Sequence, residues 1–177
     1  MELKDILSSR RSVRKFNDTI VEQSTIDELV AATLTAPSSR NSHSTHLMVI
    51  RDRAIIEQMA TMRDYGSAFI KGAPIFILVM GDREATDLWE VNCSISASYM
   101  QIAATDLGLS SCWVHIDGRP HLKDDPAGLS AEDVVRGLVE IPSTYGVLCG
   151  IALGYSDFHP AALPPFDALS RVTVIGE

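Results

Sequence analysis

Apolar positions along this chain recur in two periods, and their order lays out its elements. Three- and four-residue steps predict a short amphipathic helix over Glu2 to Ser8. A second helix follows, with Ser24 and Thr25 as N-caps over Asp27 and Glu28 and an apolar stripe of Ile26, Leu29, Val30, Thr33 and Leu34. Pro37 stops it. Pro37 to His46 has almost no apolar side chain, so this loop either lies in solvent or wraps something polar. Leu47 to Ile50 then reads as a strand and Arg53 to Met62 as a helix. Ala73 to Met80 is apolar on both faces, which places it centrally in a covered sheet.

Asp87 to Leu107 is the longest periodic stretch. Leu88, Val91, Ile95, Tyr99, Ile102 and Ala103 form its apolar stripe, while Cys93, Ser94, Ser96, Ala97 and Ser98 leave another part of its surface small. Burial in a core explains the stripe, and so does a seam between two copies, the second being required only if the small patch is also covered. Gly108 serves as a C-cap, and Leu109 to Ile116 resumes as a strand. The glycines and prolines of Asp117 to Gly128 predict a mobile loop. Ser130 and Asp133 cap a helix through Leu138, and Tyr145 to Tyr155 is a last core strand whose glycines allow a ligand or other backbone to come close. After Pro160, Pro164 and Pro165, Ser170 to Ile175 is a late extended segment. Helices and strands intermix without strict alternation, which gives an α+β sheet covered by helices on both faces.

The length of 177 residues suits a single domain over residues 1–177, large enough to bury roughly 70% of the surface exposed by the unfolded chain. Fifteen basic against 23 acidic residues leave a net charge of −8, which argues against a nucleic-acid partner. With no signal-like start and no apolar run of membrane-spanning length, the expectation is a cytoplasmic protein without a membrane partner. Cys93, Cys112 and Cys149 lie singly in apolar segments, as buried thiols do. Phosphate-binding glycine motifs, a nucleophile elbow and H-E-x-x-H spacing are missing, and His43 and His46 lack a neighbouring carboxylate or thiolate, so no metal site is expected.

Against that acidic background, Ser9-Arg10-Arg11-Ser12-Val13-Arg14-Lys15-Phe16 gathers four cations beside a hydroxyl. Guanidinium forks match phosphate oxygens in pairs. In an extended segment Arg10, Ser12 and Arg14 share one side, with Arg11 and Val13 on the other. The cluster is either an anion cradle or a solvated basic turn.

Three segments together resemble the nitroreductase family of flavoproteins: Arg10 to Phe16, Ala36-Pro37-Ser38-Ser39-Arg40-Asn41-Ser42, and Gly108-Leu109-Ser110-Ser111-Cys112-Trp113. The strand end Ile151-Ala152-Leu153-Gly154-Tyr155 is similar too. The resemblance implies a central, mostly antiparallel sheet flanked by helices, in an intertwined α+β homodimer with FMN in the cleft between subunits. It implies that Arg10, Arg11, Ser12 and Arg14 hold the phosphate and ribityl chain, and that Pro37, Ser38, Ser39 and Asn41 line the isoalloxazine ring from the partner subunit. Trp113, Val114, His115 and Ile116 would lie along the ring, with amides near His115 and Ile116 facing flavin N5. It further implies hydride transfer from NADH or NADPH through N5 to an electron-poor acceptor, a nitroaromatic or quinone, in a ping-pong cycle.

The chain departs from the family pattern in three places. His43-Ser44-Thr45 stands where Gln-Pro-Trp is frequent, Asn92 where an acidic residue is common, and Pro165 where a basic residue often precedes an aromatic, here Phe166. A lost phosphate cation weakens binding by about 1–3 kcal/mol unless another donor, with Arg171 a candidate, replaces it. No catalytic residue is otherwise assigned: His115 either gives a proton to the acceptor or only bonds a carbonyl, Trp113 reads as core, and Cys112 reads as packing. The alternatives to an oxidoreductase are a protein that stores, senses or degrades FMN without turning over a second substrate, and a module for another phosphorylated ligand.

Overall fold

The computed structural model describes residues 2–161 and 170–176. Four strands form one antiparallel sheet in the order β1 (Thr45–Ile50), β2 (Ile75–Asp82), β6 (Tyr145–Gly154) and β3 (Ser110–His115). The two central strands, β2 and β6, are buried along nearly their whole length. Alternation along β2 divides the interior, sending Ile75, Ile77 and Val79 to one cluster and Phe76, Leu78 and Met80 to the other.

On the first face lie α2 (Gln23–Leu34) and α4 (Trp89–Asp106), which add Ile26, Leu29, Ala97 and Met100 to the core. The opposite face is covered by α3 (Arg53–Met59) and α5 (Ala131–Arg136), through Ile56, Met59, Ala131 and Val135. The short α1 (Leu3–Ser9) packs on α4 and delivers the arginine segment. This is the α+β sheet with helices on both faces that the pattern predicts. The four-strand sheet is antiparallel throughout.

Local chemistry fixes several boundaries. Ser130 and Asp133 form the predicted capping box at α5, which ends at Arg136, two residues short of expectation. Asp52 caps α3 by accepting from Ala54 and Ile55 amides, and this helix also ends early, at Met59. Gly108 takes a positive φ of 74° just after α4, as a C-terminal glycine does. Gly150 faces Phe76, whose ring fills the space that a Cβ would need, so this glycine admits a core side chain and not a ligand.

Four expectations are corrected. Ser24 and Thr25 lie inside α2, whose N-cap is Glu22 without a side-chain cap bond. Gln23, paired with Asp27 at 2.8 Å, already belongs to the helix. The Asp117 to Gly128 stretch is a hairpin, β4 (Pro120–Leu122) against β5 (Asp125–Ser130), pinned where the Asp64 N–H reaches the His121 carbonyl and the Asp64 carboxylate accepts the Lys123 N–H. Ser170 and Arg171 form a turn instead of starting an extended segment, and residues 172–176 belong to no strand, while Pro164, Pro165 and Phe166 lie outside the described residues.

The fourth correction concerns α4. Its small residues, Cys93, Ser96 and Ala97, are buried together with Asn92 against the sheet side, whereas Leu88, Val91 and Tyr99 are 44%, 51% and 41% exposed. Close approach to a flat sheet favours small side chains, so Leu88, Val91 and Tyr99 of the apolar stripe face outward, while Ile95 and Ile102 are half-buried and Ala103 packs on the core. Ser94 and Ser98 of the same patch are half-buried and exposed, so the patch is covered only in part.

Candidate active site

Residues 10–17 are extended and run along the outer edge of β3. Ser12 bridges Ser111 in parallel, and the Val13 N–H donates to the Ser111 carbonyl at 3.0 Å. Val13 thereby enters the core at 5% exposure. On the opposite side Ser12 reaches the Cys112 thiol, and Arg10 and Arg14 are near enough for their charges to act on it, in keeping with the two-residue period. Burial pushes that thiol up, and Arg14, a hydrogen bond from Ser12 and Arg10 pull against it.

Arg11 reaches main-chain carbonyls. Its guanidinium donates to the carbonyls of Ser8, at 2.6 Å, Arg10, at 2.8 Å, and Ala161, at 3.4 Å, tying α1 to the extended segment and the tail. Among the described residues neither Arg10 nor Arg14 enters an ion pair, and the Arg14 guanidinium lies 5.7 Å from the Phe69 ring centroid. A cavity of about 380 Å³ opens beside Arg10, Arg11 and His159, but Ser12 and Arg14 do not line it, so it is not where the donors converge.

Strand β3 continues beyond the arginine segment with an open edge. Because the Ser111 carbonyl points outward to Val13, the two-residue period directs the main-chain groups of Trp113 and His115 to the same outer edge. Arg63 confirms that direction, its Nη1 donating to the His115 carbonyl at 3.1 Å. Val114 and Ile116 point the other way. Val114 pairs with Gly150 of β6, the Ile116 N–H donates to the Leu148 carbonyl at 3.0 Å, and both side chains are buried. The Ile116 amide is thus engaged inside the sheet, and the outward-facing main-chain groups of this stretch are those of Trp113 and His115.

Trp113 packs against the core cluster under α4, and the His115 ring stacks on it with centroids 6.3 Å apart. Burial, and then the Arg119 guanidinium, hold the His115 imidazole below its ordinary value, with Asp117 opposing and Arg63 adding to the effect. His115 is therefore neutral at pH 7. Burial likewise pushes the Cys93 thiol up to about 12 and the Cys149 thiol well up, so neither is a thiolate.

The serine loop is anchored on α4 and Thr86. A 3₁₀ turn spans Ser39–Asn41, and Arg40, Asn41 and His43 have φ of 51°, 54° and 46°. Left-handed backbone costs a non-glycine residue roughly 1–2 kcal/mol, less for asparagine, so three in four positions need an external restraint. Asn92, 1% exposed, supplies it: its Oδ1 accepts from the Ser39 N–H at 2.9 Å, and its Nδ2 lies 3.2, 3.2 and 2.9 Å from the Ser39, Ser42 and Ser44 hydroxyls, which share its two N–H donors. Sequence reasoning placed Asn92 only as a departure and missed Arg63. No spacing rule connects either residue to its partners, 48 or more positions away.

The nitroreductase family model matches residues 7–63 and 57–155, which hold the cradle, the serine loop and both central strands. The chain belongs to the nitroreductase family. A solved nitroreductase of Clostridium difficile R20291, described as FMN-dependent, is 33% identical and superposes with a TM-score of 0.88 over 97% of this chain and 98% of that one. A protein of Methanothermobacter thermautotrophicus assigned as an NADH dehydrogenase/NAD(P)H nitroreductase is 31% identical over 170 residues, 94% of this chain and 84% of its own. The NAD(P)H FMN reductase of Bacillus subtilis is 25% identical over 88% of this chain and 64% of its own length. The nitroreductase resemblance carried by the three segments is therefore a family relationship.

Proposed function

We propose that this chain is an FMN-dependent NAD(P)H oxidoreductase, acting as a single-domain homodimer with the cofactor held where two copies meet. One observation carries the reading. Arg10, Ser12 and Arg14 lie around Cys112 on the segment bridged to β3 at Ser111, and the next main-chain groups of that open strand edge, at Trp113 and His115, face outward. This donor set suits an elongated ligand with a phosphate at one end and a flat, hydrogen-bonding ring at the other. FMN has that form, and family membership together with an FMN-dependent relative at 33% identity supports it.

FMN held by Arg10, Ser12 and Arg14 would supply ping-pong hydride chemistry between NADH or NADPH and an electron-poor acceptor such as a nitroaromatic or quinone. The protein binds and orients. Arg10 and Arg14 hold the phosphate, with Ser12 as a short donor between them, and Arg11 braces the segment from behind. At the strand edge His115 offers its amide while Arg63 fixes its carbonyl, so the donor is set before the ligand arrives. Pro37, Ser38, Ser39 and Asn41 approach from the second copy, and the outward face of α4 supplies the contact between copies.

Anaerobic titration of the purified protein with each nucleotide, followed by absorbance, tests the proposal. Yellow protein that bleaches on addition of NADH or NADPH and regains colour with a quinone is the expected result. Yellow protein that neither nucleotide reduces identifies a flavin-binding protein without turnover, and colourless protein that takes up no FMN removes the cofactor.

A further inference from the structure

The serine loop turns its hydroxyls inward. Ser38 Oγ accepts the His43 N–H at 3.0 Å, Ser39 Oγ lies 3.3 Å from the Thr86 hydroxyl, and Ser44 is 1% exposed. Asn92 stands at the centre, bonded to the Ser39 main chain and to three hydroxyls. Arg40, Asn41 and His43 are exposed and left-handed, so the outward surface of this loop is made by them.

We propose that Asn92 is a positioning residue, which locks this loop into the left-handed shape that presents Asn41 and His43 to the ligand, and that the serine hydroxyls serve the lock instead of binding the ligand. Its functional meaning rests on the flavin reading above. An amide suits the position because one side accepts a main-chain N–H while the other donates to the hydroxyls. Removing it leaves the Ser39 N–H and the buried Ser44 hydroxyl without their partner, where water does not reach Ser44. A carboxylate of the same size preserves the lock, because it accepts the Ser39 N–H and the hydroxyls rotate to donate to it.

The test uses the full-length chain with Asn92→Leu and Asn92→Asp. In hydrogen exchange without flavin, the Ser39 and His43 amides of Asn92→Leu should exchange at least about tenfold faster, the equivalent of one lost hydrogen bond, while β2 and β6 amides keep their rates. Asn92→Asp should stay near the wild type. FMN should bind Asn92→Leu about tenfold more weakly, with the visible band of the bound flavin shifted towards that of free flavin. Ser44→Ala should weaken binding in the wild-type background and have no effect beside Asn92→Leu, because the two act through one lock.

Unchanged loop exchange in Asn92→Leu, or serine effects of equal size in both backgrounds, would overturn the proposal. If Asn92→Leu does not fold, Ser39→Ala and Ser44→Ala give the same exchange readout. Wild-type protein that takes up no FMN overturns the cofactor reading alone, and the exchange result still decides the lock.

Discussion

The Val13 amide donates to the Ser111 carbonyl at 3.0 Å, and this bond sets which arginines can act together. It fixes the alternation of the extended segment, with Arg10 and Arg14 at the Cys112 side and Arg11 turned back to carbonyls of Ser8 and Arg10. Arg14→Ala should therefore weaken FMN by about 1–3 kcal/mol, and Arg10→Ala similarly, since each removes a charge-assisted donor pair. Riboflavin, which has no phosphate, should lose little. Arg11→Ala should instead lower thermal stability with a smaller change in the FMN-to-riboflavin preference. Fluorescence titrations with both ligands decide it, and a preference that falls most in Arg11→Ala would reverse the assignment.

A second prediction concerns the exposed face of α4. Leu88, Val91 and Tyr99 are exposed, and a groove of about 470 Å³ at the Tyr99 end is lined by Leu3, Leu7, Tyr99 and Ile102. Covering one such side chain contributes roughly 1.5–3 kcal/mol, and the face presents several. Val91→Glu puts a charge into that surface without disturbing the core, because Val91 is already half exposed. Sedimentation should find the wild type dimeric and Val91→Glu largely monomeric at micromolar concentration, with unaltered helix content. A wild type that sediments as a monomer would remove both the seam and the shared cofactor cleft.

Legibility in the sequence followed the range of the interactions. The central strand, the capping box at Ser130 and Asp133, the stop near Pro37 and the alternation of Arg10, Ser12 and Arg14 are set by neighbours within a few residues, so periodicity and caps found them. The face of α4 was not legible in this way. Hydrophobicity ranks Val91 and Tyr99 above Ser96 and Ala97, yet close packing on a sheet selects for size, and the small side chains went inward. The hairpin at residues 120–130 is held by Asp64, far away in sequence, and so its own composition reads as a loop. Asn92 and Arg63 reach their partners only in three dimensions.

Gly150 offers a stability test independent of any ligand. A Cβ there would clash with Phe76 Cζ, inside a cluster in which Phe76 is fully buried. Gly150→Ala should cost about 1–3 kcal/mol by overpacking. For a chain of this size that is a fall in Tm of roughly 2–4 °C per kcal/mol, read by thermal denaturation. Phe76→Leu combined with it should recover part of the loss, since the pair shares one space. Strict additivity of the two changes would show that the contact is not the cause.

The last prediction separates the two roles open to His115. A general acid must carry its proton at the working pH, and the imidazole here is held below its ordinary value first by burial and then by Arg119. Its charged form is therefore confined to acid solution, and between the lowered value and about 6.5 the unfolded chain binds a proton that the folded chain does not. This contribution to stability is complete above the unfolded value and is lost as pH falls through that window to the folded one. His115→Asn should flatten the stability profile just below about pH 6.5 while keeping the main-chain amide and the Arg63 bond to the carbonyl. Turnover at pH 7 should stay within about threefold of the wild type, far from the 10²–10⁴-fold loss that follows removal of a general acid. A hundredfold fall in kcat, with FMN still bound and its band unshifted, would instead make His115 the proton donor.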